Sequence, residues 1–273
     1  MHVIGGIEQE ITSSITGRVE VYRKTFDRTI VGRLETPSET ATRVAQYAFP
    51  TEIAASVPAA PVITTVPDNS AGGRAYGVDA FLEKRAVSAS DRVTGWIAYT
   101  WGRAHLDEYG FRFPFDYDRR HALSVVSTWR LFPRISLGTT LRVASGFPYT
   151  APAGVRVAST LADGAVSGAP GSLVPRRDRN GLYVWEVNYG DVSNLNRARL
   201  PLYARLDVRV TYMRSPSSRW QFYLEAINAL NRDNAGSLTP ELEYDPTSDR
   251  PRVALTRDGA LPLLPTFGFR IRF

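Results

Sequence analysis

The sequence contains no cysteine among its 273 residues, so it can form neither a disulfide framework nor a thiolate metal site. It also lacks a run of 18 consecutive apolar residues, because its most apolar stretch, residues 52–67, is interrupted by Pro58 and Pro61. We therefore predict no membrane-spanning helix.

The first residues, MHVIGGIEQEIT, do not show the basic segment followed by an apolar segment that a secretory signal requires. We therefore expect either a cytosolic protein or a piece of a longer chain. The formal net charge is +6, but the arginines are spread among acidic residues and form no basic block. This distribution argues against a nucleic-acid partner.

Period-two alternation of apolar and polar residues is abundant, in segments of about 10 residues, and helical three-and-four spacing is nowhere sustained. The pattern predicts an all-β chain. We place nine strands at residues 2–10, 15–33, 74–86, 92–106, 119–131, 135–149, 203–214, 219–230 and 264–273.

The connections between these strands alternate between short and long. Tight turns rich in Ser, Pro and Asp (TSS, VSASD, FPR and SPSS) alternate with long connections at residues 34–73, 107–118, 150–202 and 231–263. Short periplasmic turns and long extracellular loops are typical of an outer-membrane barrel. We therefore predict an antiparallel meander that forms part of a transmembrane β-barrel.

The two faces of the predicted strands differ in polarity. Alternate residues such as Leu137, Leu141 and Val208 form a face suited to lipid, and the residues between them form a face suited to a wet or protein-filled lumen. Trp129 and Trp220, near short turns, fit an interfacial girdle. The charges predicted to face the lumen are Arg142, Arg205, Asp207, Arg209, Glu225, Arg270 and Arg272, and we expect them to form cross-strand pairs rather than a substrate relay.

Nine strands do not make a complete bacterial barrel, because single-chain barrels have even strand numbers. An open edge strand in a bilayer would also forfeit on the order of 10 kcal/mol in unpaired backbone groups. We therefore expect residues 1–273 to be the C-terminal part of a larger barrel. A complete barrel of eight or ten strands is the alternative.

Several segments together resemble a known family. YGVDAFLEKR, VTGWIAYTWGRA, LRVASGFPYT, RLDVRVTY and FYLEAINALNRDN, together with the Asp-Arg-Arg-His run at residues 118–121, resemble the last strands of TonB-dependent outer-membrane receptors. The likeness is greatest to receptors that carry a carboxypeptidase-regulatory-like N-terminal extension. It covers residues 74–234 and the C-terminal strand well, and residues 1–33 loosely.

The last strand resembles the β-signal of such barrels, in which a polar residue and a glycine precede an apolar residue and a terminal aromatic. Thr266, Gly268, Ile271 and Phe273 match this pattern. The resemblance implies capture by the barrel assembly machinery through strand pairing. A simple edge strand is the alternative.

The resemblance implies a non-enzymatic transport protein of the bacterial outer membrane, without a cofactor. Its function would be energy-coupled uptake of a scarce nutrient such as an iron chelate or an oligosaccharide. The implied partners are the lipid bilayer, the assembly machinery, the nutrient, and the TonB system acting through a plug. The sequence contains no recognisable plug, TonB box or N-terminal barrel strands.

Two other functions remain open, a small independent outer-membrane barrel acting as a porin or omptin-like hydrolase, and a soluble ligand-binding β-protein. Asp118 and His121 would be the residues of a hydrolase, but further carboxylates are not evident. The three histidines are too dispersed for a metal site, and VPDNSAGG and RRDRNG read as turns rather than calcium loops. Candidate ligand contacts are Tyr183, Trp185 and Tyr189, in a hairpin predicted at residues 180–190.

Overall fold

The computed structural model describes residues 1–215, 218–259 and 261–271, so Arg272 and Phe273 lie outside the described residues. One α-helix, α1 (Pro37–Ala45), and two 3₁₀ turns, Thr51–Ser56 and Val192–Asn194, accompany the strands. The strands are β1 (His2–Thr12), β2 (Ile15–Leu34), β3 (Ile63–Lys84), β4 (Val93–Glu108), β5 (Phe111–Pro114), β6 (His121–Phe132), β7 (Ile135–Ala144), β8 (Pro148–Tyr149), β9 (Gly154–Val157), β10 (Ser159–Leu161), β11 (Leu173–Pro175), β12 (Trp185–Asn188), β13 (Ala198–Arg199), β14 (Tyr203–Met213), β15 (Trp220–Ile227), β16 (Leu238–Glu243), β17 (Arg252–Arg257) and β18 (Leu264–Ile271).

Nine of these strands form one antiparallel sheet, which we call the wall. Its order is β1, β2, β3, β4, β6, β7, β14, β15 and β18, and β5 extends the sheet beside the end of β4. The predicted all-β meander of about nine strands is therefore confirmed. Among the described residues β1 and β18 do not pair with each other, so the wall is an open sheet.

The strand register aligns the apolar residues across the wall. Trp129, Leu137, Val210, Leu224 and Phe267 are successive partners on five neighbouring strands. Because side chains alternate between the faces of a sheet, these residues share one side, which we call the apolar face. Phe267 is 85% exposed and Leu224 67% exposed, so water would contact a broad apolar surface. The opposite side is the polar face.

The start of β3 corrects the sequence prediction. The segment VPDNSAGG, predicted to be a turn, lies within β3, which begins at Ile63 instead of Arg74. Pro67 is tolerated there because this part of β3 pairs only with β2, whereas pairing with β4 begins at Gly72. A proline without an N–H is acceptable where one side of a strand has no partner. Three register shifts along β2 and β3 accompany this pairing.

Helix α1 is absent from the sequence prediction, although a local signal for it exists. Thr36 is the N-cap and accepts a hydrogen bond from the Glu39 backbone, while the Glu39 carboxylate accepts from the Thr36 backbone. This capping box and Pro37 in the first turn favour a helix start. Among the described residues, no helix has both the length and the apolar character that a membrane crossing needs.

The long connections fold together at one end of the wall, in what we call the loop layer (residues 35–62, 109–120, 145–202, 228–259 and 261–263). Ser56 lies in the first long connection, and its hydroxyl oxygen accepts a hydrogen bond from the Val157 N–H at 3.0 Å. This bond joins the first long connection to β9. The prediction of a hairpin at residues 180–190 is wrong, because β12 pairs with the distant β9 and not with a strand inside that segment. Arg250 then donates to the Val155 carbonyl and brings in the last connection.

Candidate functional site

The polar face of the last wall strands carries paired charges. Arg205 donates to Asp207 at 2.8 Å, and Arg209 donates to Glu225 at 2.8 Å. Arg142 is exposed and lies directly opposite Arg205 on the neighbouring strand, while Arg270 lies opposite Gln221. The register thus places the six described charges Arg142, Arg205, Asp207, Arg209, Glu225 and Arg270 on the side opposite the apolar rows.

The last strand joins this charged network through its glycine. Gly268 lies opposite Tyr223, and a Cβ added to Gly268 would come within 2.5 Å of the Tyr223 hydroxyl oxygen. The Arg209 guanidinium lies 4.5 Å from the centre of the Tyr223 ring. Thr266 lies opposite Glu225, with 3.5 Å between its hydroxyl and the carboxylate. Gly268 is therefore the position that lets the tyrosine ring lie across the last two strands.

The other predicted β-signal residues lie at the end of the same strand. Ile271 lies opposite Trp220 on the apolar face, beside the short turn between β14 and β15. Phe273 lies outside the described residues. The strand itself runs through Leu264–Ile271 in regular antiparallel pairing.

Asp118 connects wall strand β4 to two connections of the loop layer. Its carboxylate accepts the Ala104 N–H at 2.6 Å and forms an ion pair with Arg199. Arg199 also donates to the Asp118 and Gly146 carbonyls. Asp118 is only 4% exposed, so the charge is compensated by direct partners rather than by water. Arg199 lies 81 residues away in the sequence, and no local pattern indicates its role.

His121 does not face Asp118. Its Nδ1 lies 2.8 Å from the Tyr99 hydroxyl oxygen, and it pairs in register with Trp101 on the apolar face. Because Asp118 is held by Arg199 and His121 points to Tyr99, the two do not form the water-activating pair of a hydrolase. Asp118 instead acts as a hydrogen-bonded cap where β4 and β6 meet the loop layer.

Acidic side chains fasten α1 to the end of β2. Arg33 donates to both Glu39 oxygens, at 2.6 and 2.7 Å, and this pairing together with the Thr36 hydrogen bonds lowers the pKa of Glu39 to about 2. The Glu35 carboxylate accepts two hydrogen bonds from Arg43, which holds its pKa below the ordinary value. Both carboxylates are therefore charged at neutral pH.

The three aromatic candidates for ligand contact lie in two settings. Arg177 lies 4.1 Å from the Tyr183 ring centre, and Arg250 lies 5.7 Å from the Trp185 ring centre. Tyr189 is exposed. The first two rings are thus packed under cations of the loop layer, whereas Tyr189 presents its ring to solvent.

Within residues 1–215, 218–259 and 261–271, no cluster of three or more metal-ligating side chains is present. The segment RRDRNG forms a turn in which the Asp178 side chain accepts the Asn180 and Leu182 N–H groups. This geometry is an Asx turn and leaves no array of spaced carboxylates for calcium.

Comparison with solved structures places this fold among outer-membrane receptors, whereas scans of protein-family models and of curated proteins give no match. The ferric-catecholate import receptor Fiu from Escherichia coli K12 superposes with a TM-score of 0.54, 12% identity and 100% coverage of this chain. The siderophore receptor PiuA from Acinetobacter baumannii gives 0.55, 10% and 99%. The outer membrane transporter YddB from Escherichia coli gives 0.48, 10% and 100%.

The chain spans only 27% of Fiu, 28% of PiuA and 32% of YddB. The comparison confirms the predicted likeness to part of the barrel of TonB-dependent outer-membrane receptors. With sequence identities this low, the likeness is one of fold. The fold is therefore that of an antiparallel sheet resembling a segment of an outer-membrane barrel wall.

Proposed function

We propose that this chain forms part of the barrel wall of a TonB-dependent receptor in the bacterial outer membrane. The observation that carries the proposal is the separation of faces across the wall. Trp129, Leu137, Val210, Leu224 and Phe267 form a continuous apolar row in which every member except Leu137 is exposed, and paired charges occupy the other side. Hydrocarbon accepts the first face, and a filled lumen suits the second.

In this proposal residues 1–273 supply the C-terminal part of the barrel. The open edges of the described wall pair with further strands of the same receptor, because unpaired backbone groups are costly in hydrocarbon. Arg142 and Arg270, which lack the short carboxylate pairs of Arg205 and Arg209, are the polar-face charges available to a plug. Thr266, Gly268, Ile271 and Phe273 serve as the signal for the barrel assembly machinery.

The loop layer provides the outer binding surface for the nutrient. Tyr189 is exposed there, and Tyr183 and Trp185 lie in the same connection beneath arginines. Two of the structural neighbours are named for ferric-catecholate import and for siderophores. An iron chelate is accordingly the first nutrient to test, and transport without enzymatic turnover is the expected activity.

The membrane position is tested by folding the full 273-residue chain in buffer, in detergent and in lipid vesicles. We expect protease-protected wall strands in detergent and vesicles, with the open edges paired between copies of the chain, because unpaired edges are costly in hydrocarbon. A monodisperse, cooperatively folded species in plain buffer would contradict the proposal.

The transport role is tested by uptake of a radiolabelled ferric siderophore in cells that carry the protein. We expect Tyr189→Ala to reduce uptake, because Tyr189 is the candidate ring that the loop layer presents to solvent. Tyr244→Ala, another exposed aromatic of the loop layer, is the matched control. Equal uptake by both variants and the unmodified protein would contradict a role for Tyr189.

A further inference from the structure

Three arginines interrupt the apolar face near its loop-layer end. Arg23 on β2, Tyr76 on β3 and Arg103 on β4 are direct partners in one row, and Arg74 lies two residues along β3 from Tyr76 on the same side. All three arginine side chains are exposed. Within the described part of the chain, none of them forms a side-chain hydrogen bond or an ion pair within 4 Å. We call Arg23, Arg74 and Arg103 the arginine patch.

The patch is compact. With neighbouring strands 4.7–4.9 Å apart, Arg23 and Arg103 stand about 10 Å apart at the backbone, and Arg74 lies about 7 Å along the strand from their row. Long arginine side chains can converge over such distances on one anion. Trp101 packs edge-on against Tyr76 with ring centres 6.0 Å apart, so aromatic rings lie directly beside the cations.

Nearby negative charge does not neutralise the patch. Asp107, on the same face of β4, accepts two hydrogen bonds from Arg112, the shorter at 2.5 Å. Its carboxylate is therefore already occupied by one guanidinium. Three exposed guanidinium groups remain for an external anion, and phosphate matches their planar donor geometry.

An apolar groove runs along the same face below the patch. It has a volume of about 490 Å³ and is lined by residues that include Ile7, Val19, Leu82 and Ile97. Gly17 leaves its floor open because it has no side chain. Val19 lies four residues from Arg23 on β2, so groove and patch are separated by about 13 Å along the strand.

We propose that patch and groove together bind one phosphorylated lipid of the outer leaflet. An acyl chain lies in the groove, and a phosphate is held by the arginine patch. This inference rests on the proposed membrane position of the apolar face. The occupant must be amphipathic, because the cationic and apolar parts lie on the same face about 13 Å apart, within the length of one lipid. Tyr76 belongs to the row of the patch itself. Trp101 lies one row closer to the groove, where its ring is at the depth of the headgroup boundary.

The test uses the full chain reconstituted in phosphatidylcholine vesicles that contain a minor fraction of a bisphosphorylated glycolipid. The protein is extracted in detergent, washed, and its retained lipids are quantified by mass spectrometry. We expect selective retention of the phosphorylated lipid. The triple variant R23Q/R74Q/R103Q should lose about a hundredfold of this preference, because each arginine near an anionic surface contributes about fivefold and the three factors multiply.

The matched control is R134Q/R214Q/R219Q, which removes three exposed arginines at the short-turn end of the wall. Its retention should equal that of the unmodified protein. Gly17→Val fills the groove without changing charge and should also reduce retention.

An unchanged preference in R23Q/R74Q/R103Q, or an equal loss in the control, would overturn the inference. A preference that inorganic phosphate abolishes would assign the arginines to a soluble anion and overturn the lipid assignment. Failure of the chain to insert into any vesicle would contradict the proposed function itself. Insertion without lipid preference would contradict only this inference.

Discussion

The loop layer buries its apolar residues, whereas the wall exposes them. Val155, Val157 and Ala158 are buried within one long connection of the loop layer. Leu224 and Phe267, in the centre of wall strands, are among the most exposed large side chains of the described residues. The loop layer thus shields its apolar side chains from water in a core, whereas the wall presents its apolar side chains outward.

This difference identifies what stabilises each region. The loop layer depends on side-chain contacts over long sequence separations, such as Ser56 with Val157 and Asp118 with Arg199. The wall depends on continuous backbone pairing and on an environment that accepts its apolar face. Four substitutions probe this difference, beginning with the largest expected effect.

Loss of the Asp118 carboxylate should weaken the loop layer most. Asp118→Ala removes the carboxylate partner of Arg199 and the acceptor of the Ala104 N–H, and we expect a local destabilisation of about 3 kcal/mol. Hydrogen exchange should accelerate in residues 104–120 and 196–200 while β14 and β15 remain protected. Asp163→Ala, at an exposed loop position, is the control. Equal loss of protection in the wall would show that the two regions are one cooperative unit.

A charge placed on the apolar face should destabilise the wall only in a membrane. Val208→Arg, midway along β14, should cost about 2–4 kcal/mol in vesicles, measured by urea unfolding. Thr140→Arg, opposite Asp207 on the polar face, should cost less than about 1 kcal/mol. Similar costs for the two variants would mean that the faces do not meet different solvents.

Gly268 tests the coupling of the last strand to the polar face. In Gly268→Ala the new Cβ would meet the Tyr223 hydroxyl oxygen at 2.5 Å, and we expect a loss of about 1–3 kcal/mol in unfolding experiments. The loss should disappear in the Tyr223→Leu background, because leucine lacks the ring and hydroxyl atoms that the new Cβ would meet. Gly236→Ala, with open space around it, is the control. A penalty that persists without the tyrosine ring would reject the proposed contact.

The smallest effect concerns α1 and its pH dependence. The pKa of Glu39 is about 2 in the folded protein against an ordinary value of 4.5, so its contribution is complete above pH 4.5 and lost as pH falls toward 2. Amide exchange of α1 should therefore accelerate over this range. Glu39→Gln should reduce this pH dependence to the part that comes from the Glu35–Arg43 pairing, whereas Glu52→Gln should leave it unchanged. A flat profile in the unmodified protein would contradict the Arg33 pairing.

The wall could be predicted from the sequence because its signals are local. Alternation along strands such as β7 and β14 fixes which residues share a face, and short turns between strands fix antiparallel pairing. The nine strands and their order follow from these features. The start of β3 was mispredicted because a proline such as Pro67 normally interrupts a strand. Pro67 is tolerated here because this part of β3 pairs with β2 on one side and has no partner strand on the other.

The loop layer could not be predicted in the same way. The pairing of β12 with β9, and the ion pair of Arg199 with Asp118, join residues far apart in the sequence without a local pattern. Helix α1 does have a local signal in Thr36 and Glu39, but its nine residues are too few for sustained helical periodicity. The arginine patch becomes visible only when the register of three strands is known.

The account's central claim is that alternate wall residues meet hydrocarbon and a filled interior. Because the chain contains no cysteine, single cysteines can be introduced along β14, residues 203–213, and labelled with an environment-sensitive fluorophore in vesicles. Labels at positions 204, 206, 208 and 210 should report an apolar environment quenched by lipid-borne quenchers, and labels at 205, 207, 209 and 211 should not. Uniform emission along the strand, or quenching at the odd positions, would contradict the account.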